Sequence, residues 1–368
     1  MKNIWIKIEV LLVCVLWLGL TVLAWFSPAK DISTSERRPL DQMPEVTVDS
    51  ILKGKFMTDF ESYTLDQFPL RDRFRTLKAL AAYNLFAQKD NNDIYVTQGQ
   101  AASLDFPLNQ ASVDRAADKI STLYEKFVKD TDAKVYFSIV PDKGYFLAEK
   151  GGYPAMDYAK LEKHFTDAFS FAEYIRIFDT LEGSDYYATD SHWKQEELGD
   201  TVKVLADAMG IADLIYTDYE TVTVDTPFYG VYYGQAALPL APDTIRYLTN
   251  DKLEACSVYN LEKNATGKIY DLEKLDGKDP YEMFLSGASA LLTVTNPNAN
   301  SDRELIVFRD SYGSSLTPLL TGAYAKVTIV DTRYVQPDFL GNFVDFANAD
   351  DVLFIYSTTL LNNSATLK

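Results

Sequence analysis

The sequence predicts an α/β fold: a central parallel sheet covered by helices on both faces, carried behind an N-terminal membrane helix. Three observations predict it. Short apolar, β-branched runs alternate with helical patterns over residues 112–209 and again over 304–357. The stretch between them, about 212–300, loses that rhythm and reads as a β-rich insertion. The first 30 residues contain Val10–Phe26, an uncharged apolar run of 17 residues, the shortest length that spans a bilayer as a helix.

Lys2 and Lys7 precede the apolar run and favour a cytoplasmic N-terminus with an exported remainder, against a small opposing effect of Glu9. A cleaved signal peptide is the rival reading, but no small-x-small site follows the run. Residues 1–30 therefore read as a cytoplasmic tip and anchor. Residues 31–50, with Pro39 and Pro44, read as an extended stalk. Residues 51–368 read as the exported domain. Apolar and charged residues mix at helical spacing over 51–88. Ser112 can cap a helix to about Lys129, with Val113, Ala117, Ile120, Leu123 and Phe127 on one face. Lys134–Val140 is a buried strand stopped by Pro141. A helix over 158–172, a strand over 174–178 and a helix over 194–209 ended by Gly210 follow. In the insertion, TVTV and YGVYYG suggest hairpins and loops. Then come a strand over 304–308, a helix from 312 to 320, a strand over 326–330, a helix opened by Pro337 and running to 347, and a last strand over 351–357.

The net charge is −18 with no long acidic run, so the charge is spread over a solvated surface that repels phosphate backbones; nucleic acid is excluded as a partner. Cys14 lies in the anchor and Cys256 is alone in the exported part, so no intrachain disulfide holds the domain. A thiol-based metal site is excluded for the same reason. No cofactor is implied.

The chain has two histidines. His164, on a predicted helix, has no obvious partner and reads as a surface or structural residue. His192 stands in TDSHW, with Asp190 two positions before it. In extended chain, residues i and i+2 point the same way, so the carboxylate can fix the imidazole tautomer and stabilise its cation. Equally, Asp190 can sit in a turn and cap the following helix. Ser311, in FRDSYGSSL, follows a strand and precedes a helix. That position lies at the carboxyl edge of the sheet, where open α/β folds bind ligands. The helix N-terminus there offers N–H groups to a developing oxyanion. Ser311 can also be a simple N-cap, as can Asp310. A zinc site on Asp190 and His192 would have to draw its missing ligands from carboxylates, because only one other histidine and one exported cysteine are present.

Several segments resemble, in order, the DHHW family of bacterial proteins, which is similar to the SGNH-like domains of alginate O-acetylation proteins. They are ERRPLDQMP (36–44), DQFPLRD (66–72), VPDK (140–143), TDSHW (189–193), YGVYYGQ (229–235), RDSYGSSLTP (309–318) and VDTRY (330–334). The resemblance covers nearly the whole exported part. It implies an SGNH-hydrolase-like three-layer fold in circularly permuted motif order. Ser311 would be nucleophile, His192 base and Asp190 orienter. It also implies acetyl transfer to, or ester cleavage on, a cell-surface polysaccharide, with acetyl groups supplied by a membrane-bound O-acyltransferase. Ser191 stands where the family name has its first histidine. Tyr312 and Gly287 are candidates for the oxyanion hole. Lys143, Arg309, Arg333, Trp193 and Tyr232 are candidates for lining the substrate cleft. A non-catalytic glycan-binding or assembly protein on the same fold, using Tyr229, Tyr232 and Tyr233, is the alternative.

Overall fold

The computed structural model describes residues 2–368, with side chains from residue 4 onward. The chain divides into two compact units: residues 1–91 with 233–239, and residues 92–232 with 240–368. The expected boundary at residue 51 is therefore displaced, because the helices up to residue 84 belong with the N-terminal unit.

In that unit, α1 (Lys2–Phe26) is a single helix, long and apolar enough over Ile4–Phe26 to cross a membrane. The expected bare stalk is partly folded: Ile32–Ser33 pairs antiparallel with Arg38–Pro39. Three helices follow, α2 (Val48–Leu52), α3 (Lys55–Asp66) and α4 (Arg71–Asn84). Thr47 and Ser50 form a capping box on α2. The ERRPLDQMP and DQFPLRD segments meet as one ion-paired junction. Buried Asp66 accepts both arms of Arg38 at 2.8 and 2.6 Å and the N–H of Asp41 at 2.9 Å. Arg71 and Arg75 both reach Glu36. The Gln67 side chain brackets the backbone of Lys30, accepting from its N–H and donating to its carbonyl, each at 2.9 Å.

The second unit is built on an eight-stranded sheet. Its strands are β1 (Lys134–Val140), β2 (Glu173–Tyr174), β3 (Ser257–Asn260), β4 (Ala265–Gly267), β5 (Leu291–Thr295), β6 (Glu304–Arg309), β7 (Lys326–Val330) and β8 (Asp351–Ser357), in the order β4-β3-β5-β7-β6-β8-β1-β2. The five strands from β7 to β2 are parallel. The other three are antiparallel. The insertion is thus not a separate appendage, since it supplies β3, β4 and β5 to the central sheet.

Alternation along the strands sends side chains to two cores. Leu305 and Val307 of β6 join Leu353 and Ile355 of β8 on one face. There they pack against α8 (Gly199–Met209) through Leu205 and Met209, and α9 (Gly313–Leu320) through Leu316 and Leu319. Ile306, Phe308, Val352 and Phe354 face the other side. They meet α5 (Gln110–Leu123) through Val113 and Ile120, and α7 (Tyr158–Ala168) through Leu161 and Phe165. Covering on both faces explains why these strands read as continuous apolar runs. Asn109, not Ser112, caps α5. The Pro337 helix ends at Leu340, and the strand after α7 is only two residues long.

Candidate active site

β6 lies between its two successors, β7 and β8. The connections leaving this point diverge, which opens a crevice at the carboxyl ends of the strands. The turn after β6 carries Ser311 there, half-buried and open to solvent. Asp310, not Ser311, satisfies the turn: its Oδ1 accepts the N–H of Tyr312 at 3.1 Å and its Oδ2 that of Ser357 at 2.8 Å. The serine hydroxyl is thereby left available. Gly313 is required where α9 begins, because a Cβ would lie 2.7 Å from Cβ of Arg309.

The hydroxyl stands 2.7 Å from Nε2 of His192, and Nδ1 of the same ring is 2.6 Å from Oδ1 of Asp190. Residues 119 positions apart in the chain therefore form one continuous relay. Asp190 is fully buried. Its Oδ1 also accepts the N–H of His192 at 3.1 Å, and its Oδ2 accepts the N–H of Val231 at 2.8 Å. Asp190 thus closes its own turn and meets the imidazole, and it caps no helix, since the next helical turn, Gln195–Glu197, starts from Lys194. The segment before Val231 can approach because residue 230 is glycine. A Cβ there would fall 2.3 Å from Cβ of Asp190 and from the Thr189 carbonyl oxygen.

The two turns are bound to each other. The Tyr312 hydroxyl donates to the Ser191 carbonyl at 2.7 Å. Nε1 of buried Trp193 donates to Ser315 Oγ at 2.9 Å and to the Tyr312 carbonyl at 3.2 Å. Asp243, at the head of a hairpin of Glu220–Phe228 with Asp243–Thr249, accepts the N–H groups of Ala188 and Thr189 at 2.7 and 2.8 Å and the Thr189 hydroxyl at 2.6 Å. Tyr281 stacks on the imidazole, with centroids 3.9 Å apart.

No protein-family model matches the chain, and no curated protein does. Solved structures do. A DHHW family protein from Eubacterium siraeum is similar at 20% identity, over 76% of this chain and 97% of that one, with a TM-score of 0.59. The chain has the fold of a DHHW family protein. PatB1 of Bacillus cereus, whose structure holds a sulfonyl adduct, is similar at 17% identity over 73% of this chain and 95% of that one, with a TM-score of 0.57. The O-acetyltransferase domain of Pseudomonas putida AlgJ is more distant, at 14% identity, 73% and 92% coverage and a TM-score of 0.46.

On this DHHW fold Ser191 sits beside the relay, its hydroxyl 3.5 Å from both Asp190 Oδ1 and His192 Nδ1. His164 lies elsewhere, 3.5 Å from Asp114.

The other residues singled out from the sequence are mostly internal, which corrects their reading as cleft-lining groups. Lys143 is 2% exposed. It follows Asp142, which caps α6 (Lys143–Gly151). Its ammonium donates to the carbonyls of Ala101, Tyr187 (2.7 Å), Ala188 and Asp190 (both 3.2 Å). Burial pushes the amine down to about 7, against the opposing pull of Asp190 and Asp243. Tyr232 is buried with its ring 5.6 Å from that ammonium. Arg309, also buried, reaches Asp331 at 3.6 Å and the Gly287 carbonyl at 3.5 Å. Arg333 is held by both oxygens of Asp331 at 2.8 and 2.6 Å. Neither oxyanion candidate has a free N–H: that of Tyr312 goes to Asp310 and that of Gly287 to the Phe284 carbonyl at 3.2 Å. Asp243 and Tyr281 carry no mark in their local sequence, and Val231, inside the YGVYYGQ segment, contributes through its backbone N–H, which no side-chain pattern reveals. All three lie in the irregular 212–300 stretch.

Proposed function

We propose that this protein is a membrane-anchored serine acyltransferase or esterase acting on O-acetyl groups of a cell-surface polysaccharide. The observation that carries the reading is the relay Asp190–His192–Ser311, with steps of 2.6 and 2.7 Å. A serine hydroxyl is a weak nucleophile until an adjacent base takes its proton, and a buried carboxylate holding the far ring nitrogen sets the base in the correct tautomer.

His192 Nε2 removes the Ser311 proton as Oγ attacks the acetyl carbonyl. The tetrahedral intermediate collapses and the C–O bond to the donor breaks. The departing oxygen takes the proton back from His192, leaving acetyl-Ser311. An acceptor hydroxyl, or water, then gives its proton to His192 as it attacks the acetyl carbon, and the bond from that carbon to Ser311 Oγ breaks as the proton passes from His192 to Oγ. Buried Asp190 stabilises the imidazolium in both halves.

The acetyl group and the polysaccharide acceptor come from the resemblance of the TDSHW and RDSYGSSLTP segments to the DHHW and alginate O-acetylation proteins. The sulfonyl adduct on PatB1 fits a fold that presents an acylable hydroxyl. α1 fits a single-pass anchor with the N-terminus in the cytoplasm and the site outside. A membrane-bound O-acyltransferase would deliver the acetyl donor.

The full chain should turn over a chromogenic acetyl ester and show a mass increase of about 42 Da, one acetyl group, at Ser311. Ser311→Ala should abolish both. Glycan acceptors added to the same assay separate transfer from hydrolysis. Absence of turnover and adduct, together with glycan binding that survives Ser311→Ala, would replace this reading with that of a binding protein.

A further inference from the structure

α4 has two faces of opposite character. Its inner face is ionic: Arg71 and Arg75 turn to Glu36, and Arg75 also donates to the Gly234 carbonyl at 2.7 Å. Its outer face is apolar and uncovered. Leu70, Phe74, Leu77 and Leu85 recur at i, i+4, i+7 and i+15 and are all exposed, Leu77 by 61% and Leu85 by 78%. At about 100° per residue they fall within roughly 80° of arc. Exposed Arg73 and Lys78 flank the stripe, one on each side. The helix carries Arg71, Arg73, Arg75 and Lys78 against Asp72 alone, in a chain of net charge −18. A basic rim around a Phe/Leu stripe is the composition of a helix that lies in a membrane interface.

The position of α4 relative to α1 supports the same occupant. The Gln67 side chain is hydrogen-bonded in both directions to the backbone of Lys30, four residues beyond the end of α1. A cavity of about 570 Å³ is lined by Leu23 and Ser27 together with Phe68, Leu70 and Arg73. The first turn of α4 therefore stands at the level where α1 ends.

We propose that α4 lies on the surface of the bilayer that α1 crosses, with Leu70, Phe74, Leu77 and Leu85 in the acyl boundary and Arg73 and Lys78 on anionic phospholipid headgroups. The proposal rests on α1 being a membrane anchor and is independent of the chemistry at Ser311.

The test uses the full chain with Cys14→Ala, reconstituted into phosphatidylcholine vesicles containing phosphatidylglycerol; buried Cys256 is retained. Flotation with the vesicles checks the anchor separately. A nitroxide is placed at Leu77→Cys and, as an aqueous reference, at Lys203→Cys, an exposed position on α8. The expected result is a ratio of oxygen to nickel-chelate collision rates several-fold higher at 77 than at 203. Arg73→Glu with Lys78→Glu should lower that ratio. Equal ratios at 77 and 203 in floating protein would overturn the proposal by placing the stripe in water. An immobilised nitroxide at 77 shielded from both reagents would overturn it in favour of a protein partner or a second copy of the chain.

Discussion

Tyr281 lies flat against the imidazole of His192, with ring planes 11° from parallel. The Tyr281 hydroxyl is 2.8 Å from Ser315 Oγ, the same atom that accepts from Trp193. The imidazole is therefore held by a carboxylate at its edge and an aromatic plate on its face. A stacked pair of this kind contributes about 1 kcal/mol beyond burial. Tyr281→Ala should lower kcat about tenfold or more, because a freed imidazole loses its alignment with Ser311. Tyr281→Phe keeps the plate and should retain most activity. Steady-state kinetics on the two variants checks the difference.

A sulfonyl fluoride should label the native protein at Ser311 and leave Ser311→Ala unlabelled, as read by intact mass. Asp190→Asn should fold, because its burial and its backbone partners can persist. It should nevertheless react about 10⁴-fold more slowly, the loss expected when a triad histidine is held in the wrong tautomer. Labelling of Asp190→Asn at the native rate would remove Asp190 from the relay.

In the proposed mechanism Lys143 acts through the loop it binds, as a positioning residue. Lys143→Met should release the carbonyls of residues 187, 188 and 190 and shift Asp190. A displacement of about 1 Å at a reacting group costs about 10²-fold, so kcat should fall by that order with KM little changed. The titration has a definite sign. In the unfolded chain the amine is protonated up to about 10.4, while in the folded protein burial lowers it to about 7. Between these values the folded state binds fewer protons, so native stability should rise with pH across that window. The rise should be smaller in Lys143→Met, as followed by denaturant unfolding.

The Asp66–Arg38 junction gives a window of the same sign at the acid end. Hydrogen bonds from Arg38 hold the Asp66 carboxyl down at about 2, against an ordinary 3.8. Its stabilising effect, at most about 2 kcal/mol because Arg38 is partly exposed, is complete above the unfolded value and is lost as pH falls through the folded one. Asp66→Asn should therefore lower the Tm at neutral pH and converge with the native protein near about pH 2. Parallel melting curves would show the pair to be inert.

The parallel half of the sheet was legible because strands buried on both faces must be continuously apolar, as in Lys134–Val140 and Asp351–Ser357. The antiparallel half was not. Ser257–Asn260 and Leu291–Thr295 are short, and nothing in a short alternating run states which sheet it joins. Asp190, His192 and Ser311 stood out because the chain has only two histidines and one of them lies in the TDSHW segment, with a strand-then-serine turn later in the chain. Lys143, Arg309 and Trp193 were visible as residue types but not as buried ones. A charge in a sequence reads as solvated until the carbonyls or carboxylates that replace water are known.

The N–H of Val231 and the carboxylate of Asp243 both reach the Asp190 turn from residues 212–300. A shortened protein with that stretch excised would lose three sheet strands and would also strip the Val231 N–H from the Asp190 carboxylate and the Asp243 carboxylate from the backbone before it. The stretch that looks most like decoration along the chain is thus the counter-mould in which the histidine turn is cast. Exchanging it between related chains should transplant the geometry of the His192 turn along with it.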